Sequence, residues 1–150
     1  MGKQETTRYS IEVSTVIRVG IQEAWSLLVD PKRASDLWWG SMVESDFVVG
    51  HPIVWKGMWE GKPFEDRGKI RNVQAPTLLR YSHWAPSSGP DVPENQSLLT
   101  WRLAAEADAV RVTFQHENIA TKEMKEHSEP MWNQLLAKMK DMLEKTRQPR

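Results

Sequence analysis

SEPMWNQLLAKMKDMLEK, residues 128–145, is the stretch that decides the fold. Met131, Trp132, Leu135, Leu136, Met139, Met142 and Leu143 recur at three- and four-residue spacing, while Asn133, Gln134, Lys138, Lys140 and Asp141 take the other face. At 3.6 residues per turn that is a single apolar stripe along a helix, and such a stripe needs an apolar partner. Ser128 is expected to cap the helix, with Pro130 in the first turn, where its missing N–H costs nothing. Residues 119–127 read either as a preceding turn or two or as a continuation kinked at Pro130.

The partner lies upstream. Tyr9, Ile11, Val13 and Thr15 alternate with Ser10, Glu12 and Ser14, the period of a half-buried strand. After Gly20, the residues Ile21, Ala24, Trp25 and Leu28 have helical spacing. Asp30 and Pro31 then close this short helix and open a second one through about Trp38, with Asp30 as cap and Pro31 at the first position. From Gly40 to about His116, glycines and prolines divide short segments rich in β-branched and aromatic residues. These read as strands at 42–48, 52–59, 66–74, 77–84, 96–104 and 109–117. Their connections are too short for crossover helices, so the strands form an antiparallel meander. The longest gap, Ala85 to Asn95, holds three prolines and Gly89 and is expected to be a surface loop at a sheet end, placed to act as a rim.

A sheet with one apolar face and a helix with one apolar stripe must bury each other. A six- or seven-stranded antiparallel sheet also twists enough to curl around a helix. The expected fold is therefore α+β: a curved six- to seven-stranded antiparallel sheet gripping a long C-terminal helix, with two short helices after the first strand. With no repeat or linker, residues 1–150 read as a single domain whose core spans about 8–145.

Composition narrows the function. Twenty Lys and Arg balance twenty Asp and Glu, which argues against nucleic acid or an anionic membrane as partner, since both reward positive charge. The absence of cysteine removes disulfides, thiol chemistry and Cys-based zinc sites. No run approaches the roughly 20 apolar residues of a membrane span, and no charged-then-apolar leader opens the chain, so the expected location is cytoplasmic. Dinucleotide, P-loop and nucleophile-elbow fingerprints are missing. Glu123 and His127 share a helical face but lack a third metal ligand. Neither cofactor nor metal is expected.

The ordered set of motifs resembles a known family. The first helix and its Asp30–Pro31 turn lead to Trp38 and Trp39, then Ser45 and Asp46, Val49 and Gly50, and Trp55, Lys56 and Gly57. Gly68, Lys69, Ile70 and Pro76 follow, then the Leu79–Trp84 strand, and finally Trp132 and Asn133 through Leu143 and Glu144. In this order and spacing they are similar to the homologues of the activator of the Hsp90 ATPase. That family lies within the helix-grip superfamily of START lipid-transfer domains, birch-pollen-allergen-like proteins and polyketide cyclases. The likeness runs from about Ile11 to Glu144. It implies a cavity between helix and sheet in which relatives often hold small apolar molecules. One departure is Met131, preceded by Pro130, where many members carry glycine before the tryptophan that opens the last helix.

Period two assigns the faces. Ile53, Trp55 and Trp59 share one; Leu99, Trp101 and Leu103 align, as do Val110, Val112, Phe114 and His116. The sheet is thus expected to present Trp55, Trp59, Trp101 and Phe114, with Tyr81 and His83 alongside, to a helix carrying Met131, Trp132, Leu135 and Met139. Large rings closed over by adaptable methionines suit an apolar ligand of loose shape; a plain aromatic core is the alternative. His83 and His116 are either hydrogen-bonded structural residues or groups that orient or protonate a ligand. The expected function is binding of a small hydrophobic molecule (lipid, aromatic or polyketide-like) without catalysis. The alternatives are a cyclase- or lyase-type enzyme using His83 or His116, and a chaperone-accessory module that binds protein. A monomer or homodimer is expected, with neither nucleic acid nor membrane insertion.

Overall fold

The computed structural model describes residues 8–147. In chain order these form β1 (Tyr9–Ile17), α1 (Ile21–Val29), α2 (Pro31–Leu37), β2 (Met42–Glu44), β3 (Pro52–Trp59), β4 (Lys62–Gln74), β5 (Leu78–His83), β6 (Ser97–Glu106), β7 (Ala109–Ile119) and α3 (Lys122–Arg147). The strands make one sheet in the order β1-β7-β6-β5-β4-β3-β2, every neighbouring pair antiparallel. Strands β2 to β7 are a continuous meander. The helices α1 and α2 carry the chain from β1 at one edge to β2 at the other, and β1 closes against the last strand.

Local chemistry fixes the turns. Asp30 accepts a hydrogen bond from the Lys32 N–H at 3.1 Å with Pro31 at the first helical position, so one residue pair ends α1 and starts α2. Glu60 and Gly61, both at positive φ, form the two-residue hairpin between β3 and β4 and pair Trp59 with Lys62. That turn carries β4 back to Lys62, four residues ahead of its expected start at 66. Strand β2, expected over 42–48, stops at Glu44. Ser45 Oγ accepts from the Phe47 N–H and Asp46 Oδ1 from the Val48 N–H, bonds that draw these amides out of the ladder.

The terminal helix begins earlier than Ser128. It runs unbroken from Lys122 with Pro130 inside it, and the cap is Thr121, whose Oγ1 accepts from the Met124 N–H at 3.0 Å. Of the two alternatives for residues 119–127, the structure has the continuation. Trp132, Leu135, Leu136, Met139 and Leu143 are buried, and α3 packs along β1 and β7. Lys140 lies on the expected solvent face, yet its ammonium reaches the Val16 carbonyl at 2.8 Å and Glu144 at 2.9 Å. Glu144 in turn accepts from the Arg18 N–H at 2.9 Å, tying the helix to the end of β1.

The core is one cluster from sheet, α1, α2 and α3, including Ile17, Leu27, Leu37, Ile53, Trp101, Phe114, Leu135 and Met139. The result is a helix-grip fold. The face assignments hold for Trp55, Leu99, Trp101, Leu103, Val110, Val112 and Phe114, all buried. Trp59 is corrected: it is 71% exposed, because the β3–β4 hairpin extends past the ground the helices cover. Met131, at the edge of the stripe, is 37% exposed and does not close over the interior.

Candidate functional site

Seven aromatic rings run between sheet and helices in an unbroken series of contacts. Trp101 on β6 meets Phe114 on β7 at 4.6 Å between centroids, and Phe114 meets Trp132 on α3 at 4.8 Å. Trp132 then meets Trp38, just beyond α2, at 5.8 Å, and Trp38 meets Trp55 on β3 at 5.9 Å. Trp55 ends the series against Tyr81 at 5.5 Å and His83 at 4.9 Å, both on β5. These tilted and edge-to-face pairs are the arrangements that ring quadrupoles favour. Where Trp101, Phe114, Leu135 and Met139 meet, the rings and side chains pack directly on one another as core.

Polar groups gather at one end. The antiparallel register sets His83 opposite Ser97 and Asp66 opposite Trp55. Asp66, His83, Ser97 and His116 thereby come from four neighbouring strands to one end of the inner face. His83 Nε2 lies 3.0 Å from Asp66 Oδ2, and both side chains are partly shielded. A carboxylate only accepts, so the His83 Nε2 carries a proton and donates to Asp66. His116 is fixed in the same tautomer from the other direction. The Trp132 indole N–H only donates, and it reaches His116 Nδ1 at 3.0 Å. The His116 proton is therefore on Nε2, which donates to Ser97 Oγ at 2.9 Å. Burial above all, with a smaller contribution from nearby His83 whenever that ring is protonated, pushes the His116 pKa down to about 4, so the His116 ring is neutral at physiological pH.

Two buried phenol and indole groups complete the site. Tyr81 OH accepts the Trp101 N–H at 2.9 Å, and burial raises its pKa far above the ordinary phenol value. Trp55 differs from Trp101 and Trp132. Its ring is 3% exposed, yet its Nε1 has no hydrogen-bond partner among the described residues. A buried unpaired donor costs about 1–3 kcal/mol, so this indole stands ready for an acceptor.

A family model described as activator of Hsp90 ATPase homolog 1-like protein matches residues 18–144. The chain belongs to this family. A solution structure of a protein from Cytophaga hutchinsonii is 38% identical, with a TM-score of 0.81 over 95% of this chain and 98% of that one. The Aha1 dimer from Colwellia psychrerythraea is 19% identical with a TM-score of 0.73, covering 91% of this chain and 96% of that one. An HSP90 activator from Plasmodium falciparum is 17% identical with a TM-score of 0.60, covering 73% of each chain. No curated protein matches. Fold and kinship together make this family member a ligand- or partner-binding module of the helix-grip superfamily.

Of the residues singled out in the sequence, Trp55, Tyr81, His83, His116 and Trp132 converge at this end of the grip. Trp101, Phe114, Leu135 and Met139 lie deeper, and Trp59 and Met131 are outside it. Asp66, Ser97 and Trp38 were missed. Asp66 stands next to Glu65, and along a strand adjacent side chains point to opposite faces. Its place beside His83 follows from strand register, which period two alone does not fix.

Proposed function

We propose that this protein binds a small, mainly apolar molecule bearing one hydrogen-bond acceptor, at the end of the grip where Trp38, Trp55, Tyr81, His83 and Trp132 meet. The observation that carries the proposal is the unpartnered, buried Trp55 N–H beside the Asp66–His83 pair. The rings supply apolar area, and the indole N–H, with His83 held in one orientation, supplies direction. The reading is binding without turnover. His116 has both ring nitrogens engaged and stays neutral, so it is not a proton donor at neutral pH.

A homologous series of fatty acids and alkylphenols, titrated against tryptophan fluorescence, tests this. Each added methylene contributes roughly 0.8 kcal/mol until the site is full. Trp55→Phe keeps the ring and removes the donor, so acceptor-bearing ligands should weaken by about tenfold while matching hydrocarbons are unaffected. No saturable signal for any member sinks the proposal, and equal affinity across chain lengths places the ligand on the surface. One observation favours a second reading: Trp39, Met42, Met58 and Trp59 are exposed on or beside the β2–β3 end of the sheet. Exposed apolar side chains of this size suit a protein partner, in keeping with the family's Hsp90 connection. Trp59→Ser would abolish such an interaction and leave small-molecule binding intact.

A further inference from the structure

The opposite face of the sheet carries a second feature that the ligand site does not use. Arg67, Lys69 and Arg71 succeed one another along β4 and line, with Ser82, Asp91 and Gln96, a cleft of about 250 Å³. The strand is irregular here. Its register with β5 shifts between Ile70 and Asn72, which leaves Arg71 as the extra residue of a bulge, a device that re-aims side chains. Gly68 is needed because a Cβ at that position would collide with the Ser82 carbonyl oxygen. Ser82 Oγ accepts the Lys69 N–H at 3.0 Å.

The cleft is held in shape by the Ala85–Gln96 loop. The Trp84 indole N–H donates to the carbonyls of Gly89 and Pro90 at 3.0 and 3.2 Å, and the Arg67 guanidinium lies 4.7 Å from the centroid of the Trp84 ring. Asp91 presents both oxygens to the cleft's own donors. Oδ2 accepts from Arg67 Nε at 3.0 Å and Oδ1 from Gln96 Nε2 at 2.8 Å. None of the ion pairs among the described residues involves Lys69 or Arg71. One carboxylate thus faces three cations, and two of them are uncompensated.

We propose that this cleft is a binding site for a compact phosphoryl anion. Its volume lies below the roughly 300–1,000 Å³ of sites for drug-sized molecules, which selects a small polyanion. Two guanidinium forks and an ammonium match the several oxygens of a tetrahedral phosphoryl group better than a planar carboxylate, whose place beside Arg67 is already filled by Asp91. Asp91 acts as a built-in competitor that holds Arg67 in position and lowers affinity.

Inorganic pyrophosphate, titrated into the full chain and followed by backbone amide NMR at moderate salt, tests the assignment. Saturable shifts are expected at residues 67–71, 82, 91 and 96, with tighter binding of pyrophosphate than of malonate. Lys69→Gln and Arg71→Gln should each weaken binding by about tenfold, and Asp91→Asn should strengthen it. Arg111→Gln, which removes an outer-face cation paired with Glu106 away from the cleft, should leave it unchanged. These side chains are exposed, so an unchanged thermal midpoint confirms that each variant folds. No saturable shift at millimolar pyrophosphate overturns the proposal. So does an equal effect of Arg111→Gln, which means diffuse charge, or preference for malonate, which means the wrong anion.

Discussion

Because an indole N–H can only donate, the bond from Trp132 makes a proton on His116 Nδ1 doubly unfavourable: it would desolvate a charge and oppose two donors. The His116 pKa of about 4 in the folded protein lies below the ordinary 6.5, so the unfolded chain takes up its proton first as pH falls. The stability this residue contributes is complete above pH 6.5 and is lost between 6.5 and about 4. Between pH 7 and 4.5 the loss should reach about 2–3 kcal/mol in urea unfolding. His116→Gln, which can still accept from Trp132 and donate to Ser97, should remove that component. Asp46 and Glu144 are held below the usual carboxylate range by hydrogen bonds, from His51 to Asp46 and from Lys140 and the Arg18 N–H to Glu144, so these carboxyls take up protons only in stronger acid. Trp132 itself is 6% exposed against Trp38, Phe114 and His116, and Trp132→Ala should cost about 3–5 kcal/mol. Trp132→Phe, which removes the donor facing Nδ1 but keeps the ring buried, should raise the His116 pKa only in part and leave it below 6.5, read from its imidazole NMR titration.

At the level of elements, two backbone positions oppose each other in effect. Gly68→Ala should drive β4 away from β5 and cost more than about 2 kcal/mol, because the colliding atom is backbone and cannot rotate aside. Pro130 sits inside α3, where it deprives the Glu126 carbonyl of its usual helical donor. Pro130→Ala should therefore stabilise the helix by about 1–3 kcal/mol, measured by thermal or urea unfolding. The same proline explains why Ser128 reads as a cap in the sequence although the helix continues through it from Lys122. Pro after Ser and Glu has the composition of a first turn, and the turns before it, largely exposed, start instead from the Thr121 cap on the Met124 N–H. Strand β2 was overestimated for a related reason: Ser45 and Asp46 bond to local amides, a competition that hydrophobic pattern does not register.

For the whole molecule, stability should be unevenly distributed. Buried β6, β7 and the Trp132–Leu143 part of α3 should open only with global unfolding, whereas the Met58–Lys62 hairpin tip, with Trp59 exposed, should exchange its amides early. Hydrogen exchange checks this, and comparable protection at the tip and in β7 would contradict it. The two ends of the sheet thus differ in kind. The gripped end joins aromatic rings and a polar row, and the free β2–β3 end offers apolar side chains to solvent.

The sequence by itself determined the architecture, because period two from Tyr9 to His116 and period 3.6 after Met131 leave a sheet face and a helix stripe that can only bury each other. It also determined that Trp55, Trp101 and Phe114 point inward, since alternation is a property of the strand alone, but not that Trp59 on the same face of β3 lies beyond the helices and is exposed. Tertiary structure decided what those rings meet. Strand register placed Asp66 beside His83 and Ser97 beside His116, and a turn after α2 set Trp38 between Trp55 and Trp132. Those are contacts between residues 17 to 94 positions apart, and no local period encodes them. The same holds for Trp55, whose buried N–H has no partner among the described residues because of where its neighbours from other strands came to rest.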